Sequence, residues 1–142
     1  MQPVHLLIPV FVQVGLTFFL VFWMARERVG ALKRGEVRTE DIALGQKVWP
    51  PRPTQCANAF TNQFELPVLF YAVVAFALIT SRVDVVILVL AWLFVLSRIW
   101  HAFVHTTSNT VRLRFRAYAT GVFVLLAMWI HFAVSVIAAG LA

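Results

Sequence analysis

Eight residues in this sequence could do chemistry together: Asn58, Asn62, Glu65, Arg98, His101, His105, Arg114 and Tyr118. One carboxylate, two guanidiniums, two imidazoles, two carboxamides and a phenol can grip a small anion that also carries a cationic group. Spacing sorts them onto three helical stripes. Asn58, Asn62 and Glu65 run i, i+4, i+7, while Arg98, His101 and His105 run i, i+3, i+7; Arg114 and Tyr118 run i, i+4. Metal chemistry is not expected, because the lone Cys56 excludes an intrachain disulfide and any multi-cysteine metal site. Haem is not expected either: a bis-histidine iron needs imidazoles facing each other from different helices, and His101 and His105 share one face. His5 and His131 match neither each other nor the set, and His131 reads as a satisfied packing or interface residue.

These residues must be positioned by helices in a bilayer. The chain has 142 residues, about one domain, with 61% hydrophobic and 13% charged residues and a mean hydropathy of +0.85. Soluble proteins lie nearer ~45–50% apolar and ~25% charged, which excludes a soluble enzyme and a disordered tail. The net charge of +6 does not indicate nucleic acid, because the basic residues are dispersed between apolar runs. A basic excess in a membrane protein reflects cytoplasmic loops facing anionic lipid.

Four spans are expected within one domain, residues 1–142. No Asp, Glu, Lys or Arg occurs from Met1 to Ala25, longer than the ~20 residues a spanning helix needs. The first span is therefore set at about 4–25; it lacks the basic start and small-residue cleavage site of a signal peptide. Residues 26–53 turn charged and glycine-containing and close on Pro50-Pro51-Arg52-Pro53, which reads as a loop with some interfacial helix. The second span is set at about 55–81, and a tight turn follows. Asp84 is a natural N-cap for a third span of about 84–105. Only 13 uncharged residues, Val85–Ser97, open that third span, so it must carry Arg98 and His101 into the membrane. The fourth span covers about 110–140.

Lys and Arg distribution gives the orientation. The first loop holds seven (Arg26, Arg28, Lys33, Arg34, Arg38, Lys47, Arg52), whereas the turn between the second and third spans holds only Arg82. The positive-inside rule puts both longer connections in the cytoplasm and both termini outside. Depth can then be estimated from the outer turn. Glu65 lies ~24 Å from Ser81 along its helix, and Arg98 and His101 lie ~21 Å and ~26 Å from Asp84. All three reach one level towards the cytoplasmic side, where Arg114 and Tyr118 enter on the fourth span. Pro67 cannot donate to the Gln63 carbonyl, which predicts a kink beside Glu65.

Two readings of this polar belt compete. In one, Glu65–Arg98 is a buried structural pair and the asparagines hold helices together. In the other, three converging helices form a site for a small, multiply charged anion. The number of polar groups at one depth exceeds what bundle packing needs, which favours the site.

At these residues the sequence resembles the membrane-associated proteins in eicosanoid and glutathione metabolism, in their bacterial-type form. The resemblance spans nearly the whole chain. Asn62-Gln63-Phe64-Glu65-Leu66-Pro67 is similar to the family's Asn-x-x-Glu element followed by proline, and Arg98-Ile99-Trp100-His101 to its Arg-x-x-His. Arg114 and Tyr118 resemble the arginine and tyrosine of its Arg-Ser-x-x-Tyr element, and Arg26-Glu27-Arg28 a basic pair ending the first helix. The sequence departs from the pattern at Thr61, at His105 in place of a tyrosine, and at Phe115 in place of a serine.

The resemblance implies an all-α, four-helix integral membrane protein assembled as a homotrimer in a bacterial inner membrane, with glutathione bound between subunits. It implies that Glu65 holds the γ-glutamyl amine, and that Arg26, Asn62, Arg98 and His101 meet carboxylates and amides. Arg114 is then the catalytic residue, stabilising the thiolate that acts as nucleophile. Asn58, His105 and Tyr118 complete the binding set. The expected partners are membrane lipids and a lipophilic small-molecule substrate, with no nucleic acid. The implied activity is transfer of glutathione to lipophilic electrophiles, or peroxide reduction. The competing readings are a non-catalytic protein of the same fold, as a lipid-binding scaffold or subunit of a larger complex, and a site for another anion such as a lipid head group. Cysteine labelling tests the orientation: Lys33→Cys should react with an impermeant maleimide only from the cytoplasmic side, and reaction from outside alone would reverse the topology.

Overall fold

The computed structural model describes residues 4–43, 45 and 48–140; Lys47, counted above in the charged loop, lies outside the described residues. The elements are helices α1 (Val4–Lys33), α2 (Thr39–Ile42), α3 (Pro51–Thr61), a 3-10 turn (Asn62–Phe64), α4 (Leu66–Ile79), α5 (Val85–Thr106) and α6 (Val111–Gly140). No strand occurs among the described residues. Four segments are long and apolar enough to cross a membrane: Val4–Lys33, Pro51–Ile79, Val85–Thr106 and Val111–Gly140. The protein is an all-α, four-helix integral membrane protein.

Two boundaries differ from expectation. The first helix does not stop at Ala25 but runs on through the charged stretch to Lys33. Hydropathy marks where the bilayer ends, whereas Arg, Glu, Lys, Ala and Leu are good helix formers and carry the coil onwards. It stops at Gly35, whose φ of +70° suits a residue without Cβ; Glu36 N–H donates to Ala31 O (3.1 Å) and Gly35 N–H to Leu32 O (3.0 Å), a Schellman cap. The second span begins at Pro51 rather than near Gln55. Prolines in the first turn remove only N–H groups that have no helical partner there, so Pro51 and Pro53 start the helix instead of delaying it.

That second span is also broken. After the 3-10 turn, Glu65 adopts φ −97° and ψ −104°, and α4 restarts with Pro67 in its first turn. The predicted kink is thus a full interruption that turns Glu65 out of the helical path. Further along, Ser81 (φ +56°) ends α4, with Arg82 N–H donating to Ala77 O at 2.8 Å. Asp84 then caps α5, accepting from Ile87 N–H at 2.8 Å. Its second oxygen meets His131 Nε2 at 2.6 Å, so His131 ties α6 to this turn. Partial burial pushes the Asp84 carboxyl up, but the Ile87 N–H and His131 outweigh it and hold it below its ordinary value.

The core lies between α4, α5 and α6, with Leu6 of α1 buried against it. Phe70, Val73, Val74 and Ala77 meet Ile87, Ala91, Phe94, Val95, Leu125 and Met128, all buried, and Phe70 stacks on Phe94 at 4.8 Å. Outward faces carry exposed apolar residues such as Phe11, Phe22 and Phe123, as a bundle immersed in a bilayer requires. Inside, Gln13 of α1 donates to Gln63 Oε1 (2.9 Å), a buried polar link between the first two spans. Gly121 lets α6 approach α5 closely: a Cβ there would lie 3.0 Å from Ser97 Oγ and 3.7 Å from Arg98 Cδ.

Gly121→Val should therefore push α6 off α5 and cost about 1–3 kcal/mol, as overpacked interiors do. Gly140→Val, which adds atoms to open space, is the control. Thermal denaturation in mild detergent measures both; an unchanged Gly121→Val would show that the helices do not meet there.

Candidate functional site

The helix break and the start of α6 face each other across a cavity of about 440 Å³. Small-ligand sites typically occupy ~300–1,000 Å³. Its walls are Asn58, Thr61, Asn62 and Glu65 on one side and Val111, Arg114, Phe115 and Tyr118 on the other, with His101 and His105 of α5 between them. Both outer walls follow the same i, i+3, i+4, i+7 spacing, one face of a helix over two turns. Seven of the nine residues singled out from sequence line this cavity. Thr61 and Phe115 were noted only as departures from the family pattern and Val111 not at all, although the same period contains all three.

Arg98 is placed differently. It is 0% exposed and sits behind the lining, where Nη2 donates to the Asn62 carbonyl at 3.3 Å. That acceptor is available because the α3 ladder ends at the break. The guanidinium also lies 5.7 Å from the Tyr118 ring centroid, within cation–π range. The Tyr118 hydroxyl in turn donates to Glu65 Oε2 at 3.4 Å. The direct Glu65–Arg98 pair weighed from sequence is therefore corrected: no ion pair joins them among the described residues, and the Tyr118 side chain links the two. Helical rise sets their common depth but not the direction in which each side chain leaves its helix. Arg98 Nε and Nη1 have no hydrogen-bond partner among the described residues.

Arg26 does not reach the cavity within one chain. It lies in a separate groove with Phe19, Phe22, Trp23, Glu27 and Arg52. A role at the cavity would have to come from another copy of the chain.

At the other end, Arg114 is held in place. Its Nη1 donates to Asn109 Oδ1 (2.8 Å) and approaches His105 Nε2 at 3.2 Å. A guanidinium can only donate, so His105 Nε2 accepts and the neutral ring carries its proton on Nδ1. His105 Nδ1 and His101 Nδ1 are both buried without a partner among the described residues. The rings of His101 and Tyr118 lie 5.7 Å apart, completing the floor. Asn109, also unforeseen, occupies the α5–α6 turn with φ +48°, a conformation that asparagine tolerates better than most residues. Arg52 braces this region from below by donating to the Thr106 carbonyl while facing Glu27 at 3.8 Å.

The arrangement places one carboxylate and one anchored guanidinium on a cavity otherwise lined by neutral polar groups and two apolar side chains. It suits a zwitterionic ligand with separated charges. Among the described residues, no group of three or more His, Cys, Asp and Glu could hold a metal ion.

A family model described as the MAPEG family matches residues 6–134. No curated protein and no solved structure gives a match. The matched span includes every residue of the cavity. The Glu65–Tyr118 contact should be measurable as a coupling: in a double-mutant cycle of Glu65→Gln and Tyr118→Phe, reversible unfolding should give about 0.5–1.5 kcal/mol of interaction. Strict additivity would mean that the two side chains do not meet.

Proposed function

This chain belongs to the MAPEG family, a family associated with glutathione, and from that membership we propose that it is a glutathione-dependent membrane transferase or peroxidase acting on lipophilic electrophiles. The observation that carries the proposal is the pairing, in one cavity of about 440 Å³, of Glu65 with Arg114 at opposite walls. Glutathione has two carboxylates, one ammonium and one thiol. Glu65 takes the ammonium. Asn58 and Asn62 offer carboxamides and His101 its Nε2 edge to the carboxylates and peptide groups, while His105, whose Nε2 accepts from Arg114, completes the set by holding that guanidinium. Tyr118 orients Glu65, and Arg98 adds positive potential from behind the wall rather than direct contact. Arg26 of a neighbouring copy in a homotrimer closes the site.

Arg114 stabilises the thiolate. Its contacts with Asn109 and His105 fix the guanidinium before substrate arrives, so little reorganisation is needed when charge develops on sulfur. The electrophile comes from the bilayer. Leu66, Leu69, Val122, Leu125, Leu126 and Trp129 form an apolar groove of about 350 Å³ between α4 and α6, starting one turn beyond Tyr118. An apolar molecule in that groove presents its reactive carbon to the sulfur. The thiolate forms the C–S bond, and the leaving group or opened epoxide oxygen takes up a proton. With a hydroperoxide, two glutathiones become the disulfide and the peroxide becomes alcohol and water.

A second reading is favoured by one observation: Arg114 Nη1 is already engaged, and Phe115 stands where the family pattern has a serine hydroxyl. In that reading the cavity binds glutathione without activating it, in a non-catalytic protein of the same fold.

Ultraviolet thiolate absorbance against pH separates the two. A cationic hydrogen bond to thiolate contributes about 1.5–3 kcal/mol. At 1.36 kcal/mol per pKa unit, Arg114→Ala should raise the pKa of the bound thiol by about one to two. Glutathione should remain bound through its carboxylates and amine. Arg112→Ala and Arg116→Ala, whose parent residues are exposed on other faces of α6, should leave the titration unchanged. Equal loss in all three variants would reduce the effect to general charge, and no thiolate signal in the parent protein would favour binding without activation.

A further inference from the structure

A second cavity, of about 660 Å³, opens at the charged-loop end of the bundle. Arg28 of α1 forms one wall, Ile42 and Trp49 of the connecting segment another, and Thr54, Ala57 and Asn58 of α3 the third. Asn58 also lines the first cavity, so the two spaces meet at this residue. The Thr54 hydroxyl is occupied, donating to the carbonyls of Trp49 (3.1 Å) and Pro50 (2.9 Å). Arg28 is not occupied in that way. Its guanidinium lies over the Trp49 ring, 4.9 Å from the centroid, and its Nε is buried without a partner among the described residues.

The acids of this end are all committed elsewhere. Glu27 faces Arg52 at 3.8 Å, Glu36 faces Arg34 at 2.6 Å, and Glu40 and Asp41 face Arg38 at 3.6 and 3.4 Å. Arg28 therefore keeps its charge uncompensated by any carboxylate among the described residues. Stacking on an aromatic face strips water from one side of the guanidinium and fixes its plane. A fixed planar fork suits a carboxylate, which it can meet with two parallel hydrogen bonds.

We infer that this cavity is an anion-capture vestibule, in which Arg28 takes a carboxylate of the incoming peptide thiol before the molecule passes Asn58 into the first cavity. The inference rests on the reading of the first cavity as a glutathione site. One guanidinium at a partly open position binds a carboxylate weakly and releases it readily, as a relay requires. Its field also raises the local concentration of an anion at the entrance, an effect that salt screens. Arg28 is accordingly a residue of substrate capture, with no contact to the reacting sulfur.

Stopped-flow mixing with glutathione, using protein in zwitterionic nanodiscs, reads the two cavities separately. Thiolate absorbance reports the first cavity. The emission change lost in Trp49→Phe reports the vestibule. In the parent protein the Trp49 signal should precede the thiolate signal. Arg28→Gln should abolish the Trp49 change and slow thiolate appearance about tenfold at low salt, the lower end of electrostatic steering. Raising the salt should shrink that difference, the dissociation rate and thiol pKa should stay at parent values, and Arg28→Lys should retain most of the rate.

Thiolate appearing in Arg28→Gln at the parent rate would overturn the vestibule and leave the glutathione reading standing. A Trp49 signal that depends on Arg28 with no thiolate in the parent would do the reverse, leaving an anion site without thiol activation behind it. Absence of any Trp49-dependent change in the parent would overturn the vestibule whatever the thiolate signal shows.

Discussion

A guanidinium buried within a membrane span must be satisfied by protein, because the surrounding hydrocarbon offers no hydrogen bonds. Arg98 sets that requirement here, and the break in the second span meets it at one nitrogen, Nη2, while Nε and Nη1 have no partner among the described residues. Pro67 has no N–H for the Gln63 carbonyl, the helix tightens into a 3-10 turn, and the Asn62 carbonyl is released to accept from Arg98. The same break turns Glu65 out of the helical path towards Tyr118. Tyr118 then does two jobs with one side chain: its ring lies over Arg98 and its hydroxyl holds Glu65. Opposite charges are kept in one neighbourhood without collapsing onto each other, so both remain available to shape a cavity. Gly121 is part of this arrangement, since a larger residue would hold α6, and with it Tyr118, away from α5.

The surface that results is graded along α6, from this cavity to the separate apolar groove beyond it. At the cavity entrance Asn109 and His105 anchor Arg114; in the middle Tyr118 meets Glu65; beyond them the lining becomes wholly apolar, from Leu66 and Val122 to Trp129. A charged water-soluble reactant and an apolar one can thus approach a common point from opposite ends. Membership in the MAPEG family associates the chain with glutathione; a gradient of this kind is what the proposed reaction between a thiol and a lipophilic electrophile would need. The polar end is also where the loop charges gather, which connects the site to the compartment that its second reactant would come from.

The parts of this arrangement governed by helical period were legible in the sequence. The stripes 58/62/65, 98/101/105 and 114/118 follow from spacing, and their common depth follows from rise per residue. Asp84 as the cap of α5 was legible for the same local reason. What escaped was governed by direction across the bundle. Depth alone could not show that Tyr118 comes between Glu65 and Arg98, nor that Arg26 faces a different groove from the one its chemistry suggested. The Gln13–Gln63 link joins residues fifty positions apart, and no local period reveals it. The length of α1 escaped because hydropathy reports the solvent around a helix and not the helix itself.

Native mass spectrometry of the intact protein, released from mild detergent with and without glutathione, tests the central claim most directly, since it reads assembly and ligand in one spectrum. The account predicts a three-chain species that gains glutathione in saturable steps, up to one for each chain. A single-chain species that retains no glutathione at millimolar concentration would contradict it.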